Sequence, residues 1–481
     1  MKKTGKLLAL MSILLMSFAL YAQDTAQNDD KGKKKKEKVY NEKGELIKKG
    51  WNFGPLPVVG FNSDLGFQYG ACVDIFNYGD GSRYPKFDYK MNLEASAYTK
   101  GSLNLRFYGD FYSLIPNSRL FIDAGYFTDK RFEFYGFNGF ASPYYDDLYV
   151  LGQQTTDNRQ QLIENFDPNF NSVFYRMDRK QFRFNSCLRS KFGFGEHFYY
   201  GVGLSYFNYN MGRINIHNEE YFYDQQMTLF ELYRESGLIR ENEADGGNVT
   251  QIKLAFIYDS KNHDSDPTKG AYFEATVTGA PDLIDRDGYS HMTFNAVWQH
   301  YIPIVKENLT FAYRLVTQNV IGEIPYYAAF NSNMLFYKKM STDALGGANS
   351  VRGINRNRVI GAGYAWLNAE LRWKVVGFQF INQNWNVALN PFFDAGMVTQ
   401  SYRLAEQEAA WNTIQEKYWT SPENAENLIY SGEKEGIHTS AGCGLKLIMN
   451  KNFIISAEAA KALDKRDGEK LKVYIGFNYL F

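Results

Sequence analysis

The chain has 481 residues, and its 53 Lys+Arg balance 53 Asp+Glu, so it lacks the whole-chain basic footprint of a nucleic-acid binder. Its hydrophobic residues, 44% of the total, gather in no run of about 18 after Leu20, which excludes spanning helices. Tyr 36, Phe 38 and Gly 41 against Pro 12 is the composition of strands in which apolar and polar residues alternate.

The chain opens MKKTGK, LLALMSILLMSFAL, YAQ, the basic, apolar and small-residue order of a secretory signal peptide over residues 1–22, with cleavage expected after Ala22. No cysteine follows the cleavage point, so no lipoprotein anchor is expected. Residues 23–50, with KGKKKKEK and NEKGELIKKG, are too polar to order themselves and read as a solvated leader.

From Trp51 to Phe481 the period is two. The first strand, GPLPVVGFN, carries Pro55 and Pro57 two apart, so the N–H groups they lack would have pointed at one neighbour. If that neighbour is the last strand, the pair marks a weak seam, softened further by Gly54 and Gly60; the other reading is a turn below the strand. In KFDYKMNLEASAY, Phe87, Tyr89, Met91, Leu93, Ala95 and Ala97 oppose Asp88, Lys90, Asn92, Glu94 and Ser96; SLNLRFYGDFY alternates likewise. The final LKVYIGFNYLF places Leu471, Val473, Ile475, Phe477, Tyr479 and Phe481 on one face.

Sixteen strands are expected, centred near residues 58, 71, 92, 107, 124, 184, 203, 254, 275, 295, 314, 369, 391, 443, 457 and 476. Segments of about 9 to 14 residues suit tilted strands crossing roughly 30 Å of hydrocarbon, whereas soluble strands average about five or six. Only a closed barrel satisfies a sheet's backbone in lipid, so the fold expected is all-β, a transmembrane antiparallel β-barrel over residues 51–481. An even strand count puts both termini on the periplasmic side of a Gram-negative outer membrane. The long loops, 131–172, 211–247, 321–362 and 398–436, then lie outside.

Cys72, Cys187 and Cys443 are too scattered for a disulfide framework; alternation turns the first two toward the lumen and the third toward lipid. The six histidines form no HExxH spacing, and no GxSxG elbow or Walker loop appears, so no enzyme activity, metal or cofactor is expected. One strand points Arg179, Gln181, Arg183, Asn185, Arg189 and Lys191 inward. It would bias a pore toward anions unless Asp88, Glu94 and Asp110 opposite neutralise it.

The third long loop holds GGANSVRGINRNRVIG, with no acid near Arg352 in the sequence. Alternation supplies acids from the next two strands: AGYAWLNAELRWKVV turns Glu370 inward and WNVALNPFFDAGMV turns Asp394 inward. A loop folded into the barrel would bring the Arg352 guanidinium to both.

These residues resemble the BamA- and TamA-like outer-membrane barrels, the bacterial surface antigen superfamily. The resemblance rests on Val351-Arg352-Gly353-Ile354, with Ile354 where the family has an aromatic, and on Phe392-Phe393-Asp394-Ala395-Gly396. It rests also on the turn YDSKNHDSDPTKG, with Tyr258, Asp259, Pro267 and Gly270, and on Phe477, Tyr479 and Phe481 at the end, placed like the family's assembly signal. It implies a lumen loop held by Asp394, with Glu370 as second acceptor. The roughly 30 residues between the signal peptide and the first strand are too few for a periplasmic POTRA repeat, so a stand-alone barrel is expected. Two functions stay open: outer-membrane protein assembly or translocation with periplasmic or outer-membrane partner proteins, or a passive channel. A hydrolase finds no nucleophile and base, and the helix-compatible LAEQEAAWNTIQEKYW leaves an adhesive role open.

Overall fold

In the computed structural model, residues 47–84, 87–112, 114–144, 174–214, 228–282, 288–331, 342–380, 383–418, 428–449 and 453–481 are described. The expected signal peptide and nearly all of the leader lie outside them. No described helix is long and apolar enough to cross a membrane.

Sixteen antiparallel strands close into one barrel, each bonded to its sequence neighbours and β16 to β1. They are β1 Trp51–Asn62, β2 Gly66–Asn77, β3 Tyr89–Tyr98, β4 Leu103–Phe111, β5 Ser118–Glu133, β6 Arg176–Lys191, β7 Phe198–Arg213 and β8 Gly246–Asp259. Then follow β9 Gly270–Ala280, β10 His291–Val305, β11 Leu309–Gly322, β12 Gly363–Phe380, β13 Gln383–Gln400, β14 His438–Met449, β15 Phe453–Ala462 and β16 Lys472–Phe477. Every expected centre falls in its strand. The lengths spread wider than expected, from 18 residues in β12 and β13 down to 6 in β16.

Exposure follows the pleat. On β8, Ile252, Leu254 and Phe256 are exposed on the outside while Gln251, Lys253 and Ala255 are buried, the inside-out pattern of a barrel whose solvent is lipid. The four long connections, 134–175, 214–245, 323–362 and 401–437, all leave from one end. The chain enters β1 and leaves β16 at the other, short-turn end.

The long-loop end is capped. Phe134, Phe137 and Tyr175 of the first long connection pack with the short helices α1 (Leu229–Glu235) and α2 (Tyr326–Ala329). Ala410, Trp411 and Ile414 of α3 (Leu404–Tyr418), the helix-compatible stretch, join the same cluster. An apolar core thus lies across the mouth of the barrel. A second cluster lies in the lumen beneath it, where Leu345, Val351, Ile354 and Val359 of the third long connection meet Trp366 and Val398 of the wall.

Cys72, Cys187 and Cys443 are free thiols on β2, β6 and β14, strands that are not neighbours. Cys187 is fully buried and Cys443 is exposed on the outer face. A membrane-permeant maleimide should label Cys443 in the folded barrel and leave Cys187 unmodified until the barrel is boiled. Labelling of Cys187 in the folded state would mean that the register of β6 is wrong.

The end of the chain departs from its expected pattern. Strand β16 stops at Phe477, and Asn478 takes φ 69°, a left-handed conformation that asparagine tolerates better than most residues. This turn rotates the remaining side chains off the lipid face. Phe477 points outward, but Tyr479 is buried in the lumen, and the Phe481 ring lies near Tyr301 at 6.2 Å. The three aromatics therefore do not share one face.

Candidate functional site: the inserted loop, its ion network and the seam

The third long connection folds back into the lumen at Arg352, which is completely buried. Its Nε and Nη2 donate to the two oxygens of Asp394 at 2.8 and 2.9 Å, and its backbone N–H donates to the same carboxylate at 3.0 Å. Nη1 contacts Glu370 at 2.8 Å and donates to Glu458 at 2.9 Å. Beneath the guanidinium lies the Phe392 ring, 3.5 Å from Cζ to centroid. Two further cations balance the charge: Arg372 reaches Glu370 at 3.0 Å and Lys446 reaches Glu458 at 2.6 Å. Three cations thus meet three carboxylates in a buried site, where an unpaired charge would be costly. Burial alone would lower the Arg352 pKa, but Asp394, Glu458 and Glu370 together hold it well above the usual arginine value.

Local geometry explains the sequence around Arg352. Gly353 has φ 91°, and a Cβ there would stand 2.7 Å from Lys461 N, so only glycine lets the loop approach β15 so closely. Its N–H donates to the Tyr474 hydroxyl of β16 at 3.2 Å. Ile354 is fully buried in the lumen cluster, so an aliphatic side chain fills the place of the family's aromatic. At Gly396 a Cβ would come 3.0 Å from Val351 Cγ2, so the small residue of β13 admits the loop.

Two more arginines of the stretch staple the loop. Arg356 bridges Asp129 at 2.6 Å and Asp343 at 2.8 Å. Burial would raise the Asp343 carboxyl, but Arg356 and Arg179 pull it down to about 2. Arg358 donates to three backbone carbonyls, those of Arg466, Gly139 and Ser142, at 2.8 to 2.9 Å. Beside it His438 sits between Asp467 (Nδ1, 2.7 Å) and Glu435 (Nε2, 3.1 Å), tying the last two connections of the long-loop end together.

Of the residues singled out in the sequence, the structure brings together Val351, Arg352, Gly353, Glu370, Phe392, Asp394 and Gly396. Glu458, Lys446 and Tyr474 belong to the same site and were missed. Their inward positions on β14, β15 and β16 follow from alternation, but nothing local says which of many inward groups the loop will touch. Asp259, Pro267 and Gly270 lie apart, in the β8–β9 turn at the short-turn end. There Asp259 meets Arg189 at 3.5 Å, Pro267 is buried, and Gly270 has φ 101°. A Cβ on Gly270 would come 2.3 Å from Ser260 O.

The inward arginines of β6 are engaged by acids other than those expected. Arg179 meets Asp343 at 3.2 Å, Arg183 meets Asp123 at 3.0 Å and Arg189 meets Asp259, whereas Asp110 is taken by Arg119 and Asp88 by Arg83. Two of the three partners lie on neighbouring or nearby strands and one in the loop, because side chains on one wall are closer than those across the lumen.

Pro55 and Pro57 lie within β1 itself, opposite Val73 and Ala71 of β2, and not in a turn. On its other side β1 meets β16 through only two residue pairs, Phe61 with Ile475 and Asn62 with Tyr474. Ser63, next in the same register, donates its N–H to Val473 O, so odd positions of β1 direct their N–H groups at β16. Carried onward, that register would set Tyr479 opposite Pro57 and Phe481 opposite Pro55. The donors needed there are the ones proline lacks. The tail instead turns inward, where Arg372 donates to Phe481 O at 2.8 Å and stacks on the Tyr479 ring at 4.0 Å.

A closed sixteen-strand barrel with a capped mouth, a lumen loop and a lipid-facing exterior defines an outer-membrane β-barrel. The Omp85 superfamily domain matches residues 135–479, and the chain belongs to that superfamily. Among solved structures it is similar to CdiB from Escherichia coli, with TM-score 0.50 and 12% identity over 92% of this chain and 66% of that one. It is also similar to BamA from Haemophilus ducreyi lacking POTRA domains 1–3, with TM-score 0.48 and 14% identity over 92% and 74%. No curated protein matches it.

Proposed function

We propose that this barrel takes part in the assembly or translocation of outer-membrane proteins, with both termini in the periplasm and partner proteins engaged at that short-turn end. The observation that carries the reading is the contrast between lumen and wall. The lumen holds the Arg352 loop and is covered by the loop cap, whereas the β1–β16 seam has two residue pairs. A passive channel needs an open lumen with uncommitted charge, and the arginines of β6 are engaged. A barrel that handles protein needs a wall that can part, and proline in β1 with a short β16 supplies one. The Ser63–Val473 and Lys472–Asp64 contacts, at 3.1 and 2.7 Å, hold the seam at the long-loop end, leaving the periplasmic half less restrained. The role proposed is structural and non-catalytic: the buried charges around Arg352 are committed to holding the loop.

Purified barrel in planar bilayers should give small, infrequent openings, and deletion of residues 342–362 should give large, steady ones. Depletion in cells should lower the amounts of other outer-membrane proteins. Large steady conductance from the intact barrel, together with an unchanged outer-membrane protein profile on depletion, would favour the channel.

A further inference from the structure

The outer wall of β10–β13 is not uniformly convex. The register places Ala296, Thr317 and Ala365 side by side on three adjacent strands, all facing lipid. The next row toward the short-turn end is bulky, with Trp298 beside Leu315 and Leu315 beside Leu367. Phe273 and Met397 close the two sides. The result is an apolar groove of about 430 Å³ in the membrane-facing surface. Its wall is fixed: Trp298 donates Nε1–H to the Tyr313 hydroxyl at 3.3 Å and packs on Phe273 with ring centroids 6.2 Å apart. The backbones of Val297, Val316, Trp366 and Gly396 form the floor, and their inner side bears the Leu345 and Val351 contacts of the inserted loop.

We propose that this groove is a seat for one acyl chain of a membrane lipid. The groove is continuous with the lipid-facing surface of the barrel, so its surroundings are hydrocarbon, and a concavity lined this way loses dispersion contacts unless something linear and apolar fills it. A protein side chain could reach in only from a partner within the bilayer, whereas acyl chains are already there. The position also matters. It lies in the half of the strands nearer the long-loop end, directly behind the lumen loop, so an occupied groove stiffens the wall against which Val351 and Leu345 pack. The inference depends on the membrane-spanning fold and not on the assembly role, so it stands or falls separately from that role.

The test is photolabelling in vesicles of phosphatidylethanolamine and phosphatidylglycerol doped with a phospholipid bearing a diazirine in its acyl chain. Labelled residues are then mapped by peptide mass spectrometry. A seated chain should label Trp298, Leu315 and Met397 at least tenfold more than outward residues of β3 and β15. Ala365→Phe, which fills the groove from outside, should bring that labelling to the background level, and so should Thr317→Phe. Ala457→Phe, on the outer face of β15, should leave it unchanged. All three variants are first checked for the heat-modifiable mobility of a folded barrel. Even labelling around the whole barrel would mean an ordinary lipid annulus and overturn the proposal. Protection of these residues in native membranes but not in vesicles would also overturn it, by assigning the groove to a membrane protein partner.

Discussion

Arg352→Ala is expected to destabilise the loop-in-barrel arrangement by about 3 to 5 kcal/mol, because it strands buried carboxylates without their shared cation. Asp394, Glu370 and Glu458 all contact Arg352, and Arg372 and Lys446 can answer only two of them. Asp394→Ala should cost less, since the arginine keeps Glu370 and Glu458, although it loses its two-pronged partner. The effects of the two changes together should be well short of their sum, because they remove parts of one network. The readouts are the temperature at which the folded band disappears on an unboiled gel and the open probability in planar bilayers. Arg352→Ala should lower the first and raise the second, with Asp394→Ala intermediate. If neither change moves either measurement, the ion network does not hold the loop.

Locking the seam should abolish activity while leaving the barrel folded. The crosslinkable positions are Phe61 with Ile475 and Asn62 with Tyr474, because β16 ends at Phe477 and the tail turns inward. Phe61→Cys with Ile475→Cys places two thiols directly opposite on the lipid face, a geometry that a disulfide or a short bis-thiol reagent can span. The crosslinked barrel should keep its heat-modifiable mobility and fail to restore outer-membrane protein levels in depleted cells. Reduction should restore them. The matched pair Leu445→Cys with Ala457→Cys, across β14 and β15, should crosslink without loss. Full activity of a barrel crosslinked at Phe61 and Ile475 would rule out a seam that must part along its whole length.

Much of this architecture is written in local alternation. A residue's parity in a strand decides whether it meets lipid or lumen, and a one-residue slip would put every charge in the wall into hydrocarbon. That is why sixteen centres, four long connections, the inward Glu370 and Asp394 and the outward Cys443 could be read from the sequence. Arg352 and Gly353 were legible through the resemblance of their loop to a family motif, whereas the close approach to β15 that requires glycine at 353 shows only in the fold.

Tertiary structure alone decided which inward groups meet. Glu458 lies 106 residues beyond Arg352, and its contact exists only because closure brings β15 round to the loop. On β6, adjacency within the wall chose Asp123 of β5 and Asp259 of β8 for two of the arginines, in place of acids opposite. The tail shows the limit most plainly. Alternation through Phe481 is unbroken in the sequence, yet proline at positions 55 and 57 denies the last residues a partner across the seam, and Arg372 offers one inside. A strand continues only while a neighbour can bond it, and the identity of that neighbour is a property of the closed barrel rather than of the residues in line.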